Sequence, residues 1–153
     1  LTNIFISYAR EDLAEARCVA DALNSRGFKV FWDRTFPTGR TFEKVIEQAI
    51  GSAKAMVVLW SRDSVQSDWV SAEAAEGANR GILVPATLDG EPLPLRYRIS
   101  QTANLTDWRP DKETDSFARF MADIAETARR NESAPEVNVF RMTRPVQERF
   151  LSA

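Results

Sequence analysis

The sequence predicts an α/β domain: an open parallel sheet with helices on both faces. Two observations carry this. Short apolar, β-branched runs alternate along the chain with segments whose apolar residues recur at helical spacing. The run "AMVVLW" at 55–60 is apolar throughout, as a central parallel strand covered on both sides requires. At 153 residues the chain has the length of one domain with a sizeable core.

The elements follow in order. "NIFISY" at 3–8 reads as a buried strand. Residues 11–26 place Leu13, Ala16, Ala20 and Leu23 at helical spacing, and Gly27 suits the helix end. "FKVFW" at 28–32 is the second strand. Residues 33–41, "DRTFPTGRT", carry Pro37 and Gly39 and read as a loop. A helix resumes at 42–50, with Phe42, Val45, Ile46, Ala49 and Ile50 on one face. After the third strand at 55–60, Ser67 can cap a helix that Gly81 ends. "ILVPATL" at 82–88 is a fourth strand, "DGEPLPLRYRISQ" a long proline-containing loop, and "TANLTDW" holds a short, weak fifth strand. Residues 114–130 form the last helix, with Phe117, Phe120, Met121 and Ile124 inward. With about five strands and right-handed crossovers, the flavodoxin-like order 2-1-3-4-5 follows. The domain is expected over 1–130. A tail at 131–153, with Pro135 and Pro145, has no clear period and no assigned role.

Composition removes several function classes. A formal net charge of −2 makes no electrostatic case for nucleic acid or an anionic membrane. No apolar run approaches the length of a membrane span. One cysteine, Cys18, excludes an internal disulfide and points to a reducing compartment, so a cytoplasmic location is expected. The absence of histidine removes Ser-His-Asp and Cys-His catalysis and most transition-metal sites, and no metal is expected. Any chemistry must run on carboxylates, hydroxyls, Lys, Arg, Tyr or the backbone. The chain opens at Leu1, directly before a strand-like run, and reads as a segment of a longer protein.

Open α/β sheets bind ligands at the carboxyl ends of their strands, where the strand order reverses. Here that crevice lies between the first and third strands, which end in Ser7-Tyr8 and Trp60-Ser61. The helix at 67–81, "SDWVSAEAAEGANRG", opens at the same edge and puts Trp69 and Glu73 one turn apart on one face. A phosphoacceptor receiver needs acidic residues after the first strand and an Asp ending the third; both are missing. "SYARED" is neither a flavodoxin nor a P-loop phosphate loop.

These segments together resemble a Toll/interleukin-1 receptor (TIR) domain. "IFISYARED" is similar to the family's first box. "FKVFWDRTFPTGRTFEKVIEQAI" resembles its second strand, BB loop and following helix. "AMVVLWSRDSVQSDWVSAEAA" resembles its third strand and the helix bearing a catalytic Trp-x-x-x-Glu, and "NLTDW" is like the fifth-strand ending of bacterial members. The resemblance spans roughly residues 3–130. Two features depart from animal receptors: "DSFARFMADI" lacks the Phe-Trp pair of the third box, and Pro37-Thr38-Gly39 replaces an adjacent Pro-Gly.

The resemblance to bacterial NAD-cleaving TIR domains implies an NAD glycohydrolase active on self-association, in immune or virulence signalling. NAD is then substrate rather than cofactor, and other TIR domains, including copies of this chain, are partners. Glu73 takes the catalytic role; a position near a helix N-terminus is expected to help keep it ionised. Trp69 stacks on a ring or packs its helix on the sheet, with both roles compatible. Arg10 is the diphosphate donor, ahead of Arg34 and Arg40 from the loop. Tyr8 and Phe36 serve as walls and Gly39 lets the loop approach. The alternative is a non-catalytic module whose loop residues Arg34, Phe36, Pro37, Gly39 and Arg40 dock other TIR domains. Glu76 reads as surface, Asp33 as a cap or ligand, and Cys18, Trp32 and Trp108 as packing.

Overall fold

A computed structural model describes residues 2–32, 40–99 and 101–135, with side chains left out at 40–43. Its elements are β1 (Asn3–Ser7), α1 (Leu13–Ser25), β2 (Lys29–Phe31), α2 (Arg40–Ser52), β3 (Ala55–Trp60), α3 (Asp68–Asn79), β4 (Leu83–Thr87), β5 (Ala103–Asn104) and α4 (Asp115–Arg130). Short 3-10 turns at Arg10–Asp12, Ser64–Gln66 and Leu95–Tyr97 join them. All strand pairings are parallel and the order is β2-β1-β3-β4-β5. This is the order expected from the alternation of strands and helices.

Alternation of side chains along the strands divides the core into two layers. Ile4 and Ile6 of β1, with Ala55, Val57 and Leu59 of β3, pack against α1 and α4. Phe5, Met56, Val58 and Trp60 face the other way, against α2 and α3. Every residue of β3 is buried, as its uniform apolarity requires. Pro85 sits inside β4 without breaking the sheet. The β5 ladder begins at Ala86, so at Pro85 that side of β4 is still an edge and lacks no partner for the missing N–H.

Helix ends are set by local chemistry. Ser67 Oγ accepts from the Val70 N–H at 3.2 Å and Thr114 Oγ1 from Phe117 at 3.1 Å, two N-caps. Gly27 and Gly81 adopt φ of 91° and 70° after α1 and α3. Ile82 N–H then reaches the Gly77 carbonyl and Phe28 N–H the Leu23 carbonyl, which closes both helices in Schellman fashion. The expectation of a plain loop between the fourth and fifth strands missed the turn at Leu95–Tyr97, where buried Tyr97 packs on Trp60 with ring centroids 5.2 Å apart. Trp108 stacks on Phe117 at 4.1 Å and Trp32 packs against the α1 layer, as packing residues do.

Close approach of α3 to the sheet depends on Gly77. A β-carbon there lies 2.8 Å from Met56 Sδ and 3.4 Å from Met56 Cβ. Gly77→Val is expected to push α3 outward at a cost of about 1–3 kcal/mol. Thermal unfolding measures this as a fall in Tm of roughly 2–4 °C per kcal/mol.

Candidate functional site

The crevice between β1 and β3 is built from two strand ends and the segments that leave them. Ser7 closes β1 on the same face as Phe5, two residues back, and so points toward the α2–α3 layer. In the second turn of α3, Glu73 projects back toward the sheet. Ser7 Oγ donates to Glu73 Oε1 at 2.6 Å. Glu73 is 0% exposed. A carboxyl group so enclosed requires polar partners, and the Ser7 hydroxyl supplies one hydrogen bond. Position in the second turn leaves little help from the helix dipole, which fades beyond the first.

A second serine–carboxylate pair mirrors the first. Ser61, which follows β3, donates its hydroxyl to Asp12, in the turn that follows β1. Ser61 N–H in turn donates to Ser64 Oγ at 2.7 Å, and Ser64 N–H to Ser61 Oγ at 3.1 Å. Each strand end thus supplies a serine that binds a carboxylate from the segment following the other strand. The two pairs stitch the crevice across its width. Sequence reasoning put Ser7 and Ser61 at the strand ends without partners and missed Asp12 and Ser64. The available signal was a serine at each switch-point strand end, facing acidic residues a short distance along the chain.

The other expected site residues are distributed as follows. Trp69 is half-buried against the α2–α3 layer, one turn before Glu73. Tyr8 lies in the opposite layer, with the α1 core, and its hydroxyl donates to the Trp32 carbonyl at 2.7 Å. It therefore anchors the end of β2 rather than sharing a sheet face with Glu73. Arg10 is exposed on the turn leaving β1. Arg34, Phe36, Pro37 and Gly39 lie outside the described residues, as do Asp33 and the tail from residue 136, and so does the side chain of Arg40. Arg80, from the end of α3, donates to the Ala53 carbonyl at 3.1 Å and also to that of Ile50, tying α3 to the end of α2. Among the described residues no group of His, Cys, Asp or Glu could hold a metal ion. No helix among them is long and apolar enough to cross a membrane.

Burial raises the Asp12 carboxyl above its ordinary 3.8; the Ser61 bond opposes this, and repulsion from Glu15, Asp63 and Asp89 adds to it. An acid with a raised folded-state pKa holds its proton more tightly in the folded chain. Its penalty is absent below the unfolded value and grows as pH rises through the folded one. Asp12→Asn keeps a carbonyl acceptor for Ser61 and removes the charge. Its Tm is expected to exceed that of the wild type at pH 7, with the difference shrinking toward pH 4 in parallel thermal melts.

The family model described as TIR domain matches residues 4–121. The Stimulator of interferon genes protein of Magallana gigas is 33% identical over 107 residues, which cover 61% of this chain and 26% of that protein. The chain thus spans about a quarter of the length of that curated relative. Among solved structures, the TIR domain of the Toll-related receptor TRR-2 from Hydra magnipapillata aligns with a TM-score of 0.69 at 19% identity, covering 84% of this chain and 99% of that one. A metazoan TIR-STING receptor from C. gigas, in complex with 2',3'-cGAMP, aligns with a TM-score of 0.62 at 27% identity, over 84% of this chain and 40% of that one. The TIR domains of the activated Roq1 resistosome align with a TM-score of 0.51 at 20% identity, over 99% of this chain and 98% of that one. The family match covers well over half of the chain, and the fold agrees with it: this chain belongs to the TIR domain family.

Proposed function

We propose that this TIR domain cleaves the nicotinamide–ribose bond of NAD when copies associate, with Glu73 as the carboxylate that serves the reaction. The observation that carries this is the Glu73–Ser7 pair, a buried carboxylate held at 2.6 Å by a hydroxyl at the switch-point end of β1. Open parallel sheets bind their ligands at this place.

The chemistry suits a chain without histidine. Nicotinamide in NAD is a cationic pyridinium. As the C1′–N1 bond breaks, the ring takes the bonding pair and leaves neutral, so no general acid is needed. Positive charge develops on the ribose, and a fixed carboxylate opposite it stabilises that charge. Glycosidases use two carboxylates because their leaving group needs a proton. Water then adds to C1′ and releases one proton, giving ADP-ribose. Ser7 orients Glu73, Trp69 offers an indole face one turn earlier, and Arg10 on the adjoining turn supplies a cation for the diphosphate.

Full burial of Glu73 places a condition on this reading: substrate must reach the carboxylate, so turnover requires the crevice to open. Association of copies is the step we assign to that opening. The same burial favours a second reading, a non-catalytic interaction module in which the Ser7–Glu73 bond pins α3 to β1 and does nothing more. No location in the cell or source organism is needed by either reading; bacterial immune or virulence signalling is the setting the first implies.

The readings separate in one assay. Protein clustered on beads with NAD is expected to release nicotinamide, read by chromatography. Glu73→Gln is expected to abolish release, while Ser7→Ala lowers it and costs about 1–3 kcal/mol of stability through loss of the buried donor. Release from Glu73→Gln equal to the wild type ends the hydrolase reading. No release from the clustered wild type leaves the interaction module.

A further inference from the structure

Among the described residues three large apolar side chains stand in solvent: Leu95 at 77% exposure, Ile99 at 94% and Leu13 at 37%. They fall into two patches of opposite charge. Leu95 and Ile99 alternate with exposed Arg96 and Arg98 on and just beyond the turn between β4 and β5. The turn is anchored rather than loose. Tyr97 is buried against Trp60, Arg98 Nε donates to the Leu93 carbonyl at 2.7 Å, and Arg96 reaches Asn79 Oδ1 at 3.3 Å. Two aliphatic side chains are thus held outward by a turn pinned to the core. Such a pair between arginines is what a docking surface presents.

Leu13 opens α1 on the rim of the crevice, beside exposed Glu11 and Glu15. Asp63 and Asp89 are also exposed and lie close enough to act on Asp12, which the same turn carries. Carboxylates outnumber the basic Arg10 and Arg62 on this rim. The two patches sit on opposite faces of the sheet, since α1 packs in one layer and Tyr97 in the other. They therefore cannot meet within one molecule. Because the patches face opposite ways, a contact between them on two copies is heterologous and repeats head to tail.

We propose that the Leu95/Ile99 patch of one copy, with Arg96 and Arg98, docks on the Leu13 patch of a second copy, with Glu11 and Glu15. The contact supplies the association that the proposed hydrolase needs, and in that respect rests on that reading; its own existence is read by mass alone. Docking there also bears on the turn that holds Asp12 to Ser61, at the crevice itself.

Sedimentation velocity of the chain at rising concentration, without NAD, tests it. The wild type is expected to form a concentration-dependent series of oligomers that weakens with added salt. R96E/R98E and E11R/E15R are each expected to weaken association about tenfold or more, because like charges then face each other. Mixing the two variants, or combining all four changes in one chain, is expected to restore it, since every contact again pairs opposite charges. Leu95→Ser with Ile99→Ser is expected to weaken association without charge rescue, with an unchanged Tm as the check on folding. A wild type that stays monomeric throughout, charge variants that associate like the wild type, or a mixture that stays monomeric overturns the proposal. So does occupation of the patch by another protein while the wild type is monomeric. Glu73→Gln is expected to associate like the wild type; a wild type that associates but releases no nicotinamide sinks only the hydrolase, and a monomeric but active chain sinks the docking and the need for association while leaving Glu73 its role.

Discussion

A carboxylate enclosed by protein has to be matched by the groups around it, and the Ser7–Glu73 bond is where this fold meets that demand. An ionised group moved from water into a protein interior loses solvation worth several kcal/mol unless partners replace it. Here the replacement includes a hydroxyl at the last position of β1, which fixes α3 relative to the strand it crosses. The close seat of α3, permitted by Gly77, and the anchoring of its far end by Arg80 serve the same placement. Helix, strand end and carboxyl group form one arrangement, and shifting any of them breaks the buried bond.

The second pair, Ser61 with Asp12, works on the other rim and differs in solvation. Glu73 is shut away, whereas Asp12 is half-exposed and surrounded by other acids. One carboxylate is therefore held in a fixed, dry place, and the other contributes to a negative rim. The two carboxylates thus differ in surroundings, one enclosed by protein and one open to solvent. The family match and the fold agree on a TIR domain.

Opposite charges on opposite faces give the molecule a direction. An acidic rim around Leu13 and a basic, apolar turn at Leu95–Ile99 cannot satisfy each other by a two-fold contact, so repetition in one sense is the geometry they suit. Tyr97 links that turn to Trp60 at the end of β3, immediately before Ser61. That turn and the carboxyl end of β3 thus share one tilted aromatic contact.

The amino-acid sequence by itself determined the sheet. An unbroken apolar run at 55–60 can only be covered on both sides, and the spacing of Ala16, Ala20 and Leu23, with Gly27 and Gly81 past their helices, needs no distant partner to be read, whereas Leu13 at the start of the same pattern stays exposed. It also placed Trp69 and Glu73 at the switch-point edge, because order and edge follow from connectivity. Burial of Glu73 and its bond to Ser7, 66 residues away in the chain, were decided by tertiary structure. So were the Ser61–Asp12 pair, the turn of Tyr97 onto Trp60 and the assignment of Tyr8 to the opposite layer. The reason is common to all four. A strand or helix is specified by neighbours along the chain, whereas a hydrogen-bond partner or a stacking face is specified by what the fold brings within a few ångströms.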